Sequence, residues 1–209
     1  MSTLLRVDSS PLDSDTSFSR RLTAEFVEGW LQTHAGGKVT TRDLAGTNLP
    51  LVTAEWIGAV FTPETGLTAR QKEVLGISGE LIAELEGADE YVFGVPMYNF
   101  SIPAVLKLWI DQVVRAGKTF SYGSGTPAGL LTGKRATFLV ASGGVYDEGT
   151  PLAPMNFVEP YLRSVLGFIG VTDVRFVYAG GTAQRMYGVA PATILQPALD
   201  SIRGQFQAA

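Results

Sequence analysis

The sequence predicts a doubly wound α/β fold, a five-stranded parallel sheet with helices on both faces, in a single domain spanning residues 1–209. Three observations support this. Five short, largely apolar runs alternate with longer segments whose apolar residues recur at helical spacing. The runs are nearly continuous, as in strands covered on both faces. A chain of 209 residues with 45% hydrophobic and 17% charged side chains suits one sizeable core better than two.

The first run, residues 4–7, closes at Asp8-Ser9-Ser10-Pro11, and Phe18, Leu22, Phe26, Trp30 and Leu31 then mark a helix ending at Gly36-Gly37. Residues 38–44 alternate like a strand. Residues 45–67 are irregular and broken by Pro50 and Pro63, with Trp56, Ile57, Val60 and Phe61 suggesting a short packed helix. A second long helix is expected from a Thr68 cap to Gly87, its apolar stripe formed by Leu75, Ile77, Leu81, Ile82 and Leu85. Residues 91–95 form a β-rich run ended by Pro96. A helix over 102–115 follows, with Ser101 as cap and Pro103 in the first turn, and Gly117 ends it. Residues 119–133 are glycine-rich and turn-forming, and 136–141 make another buried strand closed by Ser142-Gly143-Gly144. Tyr161, Leu162, Val165, Leu166 and Ile169 mark a further helix, residues 174–178 the last strand and 190–207 the last helix. No internal repeat and no low-complexity segment interrupts this order.

Composition excludes several classes of function. A formal charge of -4 with no local cluster of Lys and Arg argues against nucleic acid as a partner. Zero cysteines exclude disulfides, thiolate metal sites, a thiol nucleophile and a CxxC redox pair, so redox chemistry requires a bound cofactor. Arg6 and Asp8 interrupt the N-terminal segment before it reaches signal-peptide length, and no apolar run approaches a membrane span; a cytoplasmic protein without a membrane partner is expected. Asn99-Phe100-Ser101 matches the glycosylation sequon, but with no export signal it reads as chance.

A doubly wound sheet binds ligands beyond the carboxyl ends of its strands, where the strand order reverses, so the loops after the first, third and fourth strands carry the interest. The first, from Asp8 through Ser10, Ser14, Thr16 and Ser17 to Ser19, runs into a helix N-terminus, where hydroxyls, free amides and the dipole favour an anion. Ordinary capping by the same residue types is an equal alternative, and Asp8, Asp13 and Asp15 weigh slightly against a phosphate. The loop from Gly94 to Pro103 places aromatics and an amide where a flat ring could stack, or packs as a hydrophobic turn. Gly123-Ser124-Gly125 has no strand before it and no third fingerprint glycine, and Gly133-Lys134 is followed by Arg135 where a Walker loop needs Ser or Thr. The single histidine, His34, lies near a helix C-terminus, where it complements the dipole.

Pro96-Met97-Tyr98-Asn99-Phe100, with Leu106-Lys107 and Asp111 through Arg115-Ala116-Gly117, resembles the FMN-dependent NADH-azoreductase family. The resemblance continues through Thr119-Phe120-Ser121-Tyr122, Gly129-Leu130-Leu131-Thr132-Gly133-Lys134, Gly143-Gly144, Pro160-Tyr161-Leu162 and Leu166 to Asp173, in family order over nearly the whole chain. It implies a flavodoxin-like homodimer that binds FMN at the switch point of each subunit and passes hydride from NADH or NADPH to quinones and azo compounds, donor and acceptor occupying one flavin face in turn. By motif, Ser10, Ser17 and Ser19 with the backbone of Phe18 would hold the phosphate; Met97, Tyr98, Asn99 and Phe100 would flank the ring and ribityl chain; and Ser142, Gly143 and Gly144 would complete the site. Asn99 and Phe100 would also face the substrate, and Tyr122 and Phe168 would line the acceptor pocket of the other subunit. No acid or base side chain is implied. Two departures stand out: Ser142 occupies a position where similar proteins often carry arginine, and the first loop is one residue longer. A flavodoxin-type electron carrier would share the FMN loops but deliver single electrons to a protein. An acyl-carrier-protein phosphodiesterase would need a water-activating constellation that the acids and single histidine do not form.

Overall fold

The computed structural model describes residues 1–123 and 125–207. Its sheet contains β1 (Thr3–Asp8), β2 (Lys38–Asp43), β3 (Glu90–Pro96), β6 (Arg135–Ala141) and β7 (Asp173–Ala179), ordered β2-β1-β3-β6-β7, all parallel. A two-stranded antiparallel hairpin, β4 (Phe120–Ser121) and β5 (Ala128–Gly129), lies outside it. The helices are α1 (Phe18–Thr33), α2 (Ala54–Val60), α3 (Ala69–Val74), α4 (Gly76–Gly87), α5 (Ala104–Val113), α6 (Val158–Phe168) and α7 (Pro191–Gln207). Among the described residues, no helix is long and apolar enough to cross a membrane.

Strand alternation sends neighbouring residues to opposite layers. Leu4, Val92, Leu139 and Val177 meet Leu22, Phe26 and Trp30 of α1 and Leu195 and Ile202 of α7. Leu5, Val7, Tyr91, Phe93 and Phe138 meet Leu81 and Leu85 of α4, Leu106 and Trp109 of α5, and Leu162 and Leu166 of α6. Register places Phe93 beside Phe138 and Phe138 beside Phe176. The rings stack at 4.7 and 5.0 Å, a ladder that fixes the relative height of β3, β6 and β7.

Three elements depart from the sequence expectation. The segment 68–87 is two helices: Thr68 makes a reciprocal capping box with Gln71, but α3 stops at Leu75 and α4 begins at Gly76, where propensity is poor. The helix expected from residue 102 begins at Ala104, because Pro103 is extended (φ -60, ψ 148) and disfavours helical backbone at Ile102. Residues 119–133 contain the β4–β5 hairpin; Ser124 of the rejected Gly123-Ser124-Gly125 fingerprint lies outside the described residues. That hairpin is seated by a glycine pair, since a Cβ at Gly129 would lie 2.1 Å from the amide nitrogen of Gly170.

Candidate functional site

The strand order reverses between β1 and β3, and beyond their carboxyl ends a pocket of about 260 Å³ opens. Ser10, Leu12, Thr16, Ser17, Phe18 and Ser19 line it from the first loop, with Pro96, Met97 and Tyr98 after β3 and Ala141, Gly143 and Thr182 from the β6 side.

The first loop is shaped by its own side chains. Asp13 Oδ1 accepts from the amide and hydroxyl of Thr16 at 2.8 and 2.7 Å, and Asp13 O accepts from the Ser17 amide at 2.9 Å. The hydroxyl and amide of Thr16 hold the Asp13 carboxyl below its ordinary pKa. Ser17 then caps α1, its Oγ accepting from the Arg20 amide at 3.3 Å while lying 3.3 Å from Ser19 Oγ. Among the described residues the amides of Phe18 and Ser19 have no acceptor, as the first turn of a helix leaves them. Ser10, Ser17 and Ser19 are 1, 2 and 1% exposed, yet all three line the pocket. Arg20 points away from it and secures the loop from behind, Nη2 donating to Ser10 O at 2.6 Å and to Asp43 Oδ1 at 2.7 Å.

Asp8 faces the same rear layer. It accepts from Arg6 Nε at 2.7 Å and Thr23 Oγ1 at 2.8 Å, although burial outweighs these partners and raises its pKa. A Cβ at Gly94 would lie 2.6 Å from Asp8 Oδ1, so glycine leaves space for this carboxylate. Two of the three acids that weighed against a phosphate, Asp13 and Asp8, are thus a loop and a core fastener. Hydroxyls, free amides and the positive end of α1 fit a phosphate dianion.

After β3, Tyr98 and Ser101 exchange backbone hydrogen bonds at 3.0 and 3.1 Å, closing a two-residue turn whose central residues, Asn99 and Phe100, have φ of 47 and 71. Two positive φ values in a two-residue loop define a type I′ turn. Asn tolerates this backbone; Phe does not do so readily. Phe100 is held there by its carbonyl, which accepts from the Phe157 amide at 3.1 Å, and by edge contact with Tyr146 at 6.3 Å. Among the described residues the amides of Asn99 and Phe100 have no acceptor, leaving two donors beside the pocket.

After β6, Ser142 turns inward and donates to Gly144 O at 2.9 Å. Its carbonyl accepts from the amide and hydroxyl of Thr182 at 3.0 and 3.1 Å, which brings Thr182 to the pocket. Gly143 lines the pocket, and a Cβ at Gly144 would lie 3.1 Å from Leu152 Cδ1, so a side chain there needs a small shift of that leucine.

Ser10, Ser17, Phe18, Ser19, Met97, Tyr98 and Gly143 therefore converge on one cavity. Asn99 and Phe100 occupy the adjoining turn, and Ser142 and Gly144 support its far side. Tyr122 and Phe168 do not line the cavity; they flank Phe120 at 5.3 and 4.6 Å on an exposed aromatic patch. Leu12, Thr16, Pro96, Ala141 and Thr182 also line the cavity; Thr16 and Pro96 lie in the loops the sequence singles out, without an individual role, while Leu12, Ala141 and Thr182 are not singled out for the site by the sequence. Pro96 and Ala141 were legible as strand ends, whereas Thr182 arrives only through tertiary hydrogen bonds. His34 stacks on Trp30 at 4.3 Å, with Nδ1 2.9 Å from Trp30 O, and serves the end of α1. Among the described residues, no three His, Asp or Glu side chains group as metal ligands would.

A family profile for the flavodoxin-like fold matches residues 2–203. An FMN-dependent NADH:quinone oxidoreductase of Acidobacterium capsulatum is 56% identical over 204 residues, 97% of this chain and 98% of that protein. The structure is similar to an azoreductase from Bacillus anthracis strain Sterne, with TM-score 0.88 and 30% identity over 100% of both chains. An FMN-dependent NADH-azoreductase from Bacillus anthracis Ames Ancestor, solved in complex with FMN, gives TM-score 0.87 and 26% identity over 99% of this chain and 98% of that one.

Proposed function

The chain belongs to the flavodoxin-like fold family that includes the FMN-dependent NADH:quinone oxidoreductases, and from that premise we propose that it oxidises NADH and reduces quinones and azo compounds through bound FMN. The observation that carries the reading is the meeting, at the strand-order reversal, of three buried serine hydroxyls and two free α1 amides with a type I′ turn that offers two more.

FMN held in this cavity would supply the chemistry, hydride transfer from NADH to the electron acceptor. In the proposed arrangement Ser10, Ser17 and Ser19 donate to the phosphate with the Phe18 and Ser19 amides, and Met97 and Tyr98 flank the ring and ribityl chain. The Asn99 and Phe100 amides donate to the polar edge of the ring, positioned in advance by the Tyr98–Ser101 exchange. Gly143 allows close backbone approach, and Ser142 holds that loop without adding charge. Quinone reduction consumes one NADH and one proton and yields NAD+ and hydroquinone, that proton coming from solvent, so no side-chain acid is assigned. Donor and acceptor share one face in turn, in the cytoplasm. In the proposed homodimer, Tyr122 and Phe168 of one protomer line the acceptor pocket of the other.

Supplying FMN to purified protein and recording its spectrum, then NADH oxidation with a quinone, tests the reading. Flavin bands and stoichiometric NADH loss are expected. Protein that stays colourless, or takes up FMN but turns over no NADH, overturns the enzyme assignment, the second outcome favouring an electron carrier.

A further inference from the structure

A pocket of about 490 Å³ opens between α2, α3 and the turn that follows α5, and Arg115 lines it. Arg115 is 9% exposed and is anchored at one point, Nη1 donating to Ser78 Oγ at 3.0 Å. Ser78 in turn donates to Gln112 O at 2.5 Å, which fixes that hydroxyl as the acceptor. Nε is buried with no acceptor, and among the described residues no carboxylate forms an ion pair with this guanidinium. Burial lowers its pKa, with Glu64 opposing, yet arginine stays charged at neutral pH. A buried cation lacking a counter-ion is costly, and an anion relieves that cost.

The surroundings select the kind of anion. Lys72 and Lys118 add positive charge to the lining, and its single carboxylate, Glu64, is already engaged by Lys118 Nζ at 3.2 Å. This reverses the sign of a chain whose formal charge is -4. Val60, Leu67 and Leu75 supply apolar wall. We propose that this pocket binds a small organic carboxylate, its charged end paired with Arg115 and its apolar body against Val60, Leu67 and Leu75. The site shares no lining residue with the flavin cavity, so its occupancy does not depend on the oxidoreductase reading.

Gly79 provides the means of closing the site. It lines the pocket within α4, and a Cβ there would meet nothing within 4 Å, so Gly79→Leu grows into empty space. The experiment titrates FMN-saturated protein with hexanoate and, separately, with hexanamide, following backbone amide shifts of Gly79 and Lys118 by NMR. Saturable one-to-one shifts are expected with hexanoate, and binding at least about tenfold weaker with the neutral amide, which forfeits a charge-assisted bond. Gly79→Leu and Arg115→Met should each abolish the hexanoate response. If Arg115→Met does not fold, Gly79→Leu and the hexanamide arm decide. Absence of saturable shifts, equal binding of the amide, or hexanoate affinity unchanged in Gly79→Leu overturns the proposal.

Discussion

Arg20 reaches back ten residues to the carbonyl oxygen of Ser10, and the same Nη2 holds Asp43 at the end of β2. The loop after β1 is therefore braced from the sheet by a cation that faces away from the pocket. Arg20→Met should raise the FMN dissociation constant up to about thirtyfold, since a charge-assisted bond contributes about 2 kcal/mol and the loop must then be ordered by the ligand. Titration of apoprotein with FMN measures it; unchanged affinity would show that Ser10 needs no brace.

The same layer sets a pH dependence with two signs. The Arg20 hydrogen bond holds the Asp43 pKa below 3.8, so its contribution to stability is present above 3.8 and is lost as pH falls through the lower folded value. Asp8 is the reverse: burial raises its pKa above 3.8, so its ionisation costs stability as pH rises from 3.8 through the folded value. Urea unfolding across this range should show Asp43→Asn flattening the acid limb below 3.8 and Asp8→Asn flattening the decline above it. Identical slopes in parent and variants would contradict both assignments.

Ser17→Asp separates capping from phosphate binding. The carboxylate can accept from the Arg20 amide as Ser17 Oγ does, so α1 should keep its far-ultraviolet signal. Against a phosphate it removes a donor and adds like charge, worth roughly 4 kcal/mol for charges about 4 Å apart at an effective dielectric of about 20. Half of that weakens FMN about thirtyfold. Undiminished FMN affinity would redraw the cradle around Ser10 and Ser19.

At Asn99 the positive φ inverts the usual ranking of glycine and alanine. Asn99→Gly should be the more stable of the two variants by about 1 kcal/mol, because only alanine carries a Cβ into the left-handed region. Thermal unfolding of the pair decides; alanine equal to glycine would mean that the turn relaxes to another type.

Tyr122 is 61% exposed and touches Phe120 edge-on, so Tyr122→Ala should leave the fold and flavin content intact. In the proposed homodimer it raises the Michaelis constant for quinone several-fold, about what one aromatic stacking contact contributes. Loss of flavin with unchanged acceptor kinetics would remove Tyr122 from the acceptor pocket.

The sheet and most of the cavity were legible because their signals are local. Apolar runs such as 91–95 and 136–141 declare buried strands, and hydroxyls before Phe18 declare a helix start. The break at Leu75 was not legible, since the Thr68 cap and the apolar stripe from Leu75 to Leu85 together read as one helix and only the weak propensity of Gly76 marks it. The type I′ turn was hidden because Phe100 is an unfavourable residue for its backbone, held there by Phe157 from elsewhere in the chain. That Arg115 has no counter-ion among the described residues is a fact about tertiary neighbours, which spacing along a sequence cannot express.

The strand order also dictates when the cavity can come into being. β1 is flanked by β2 and β3, and its first residue bonds to Asp89, 86 residues away. A ribosome must therefore deliver the chain through β3 before the earliest-made strand is covered on both edges, and through β6 before Gly143 is available to the site. Until then β1 presents unpaired backbone along an apolar strand, a surface prone to mispairing. Sheets closed over such distances form slowly, so nascent copies have most need of a chaperone before the middle of the chain emerges.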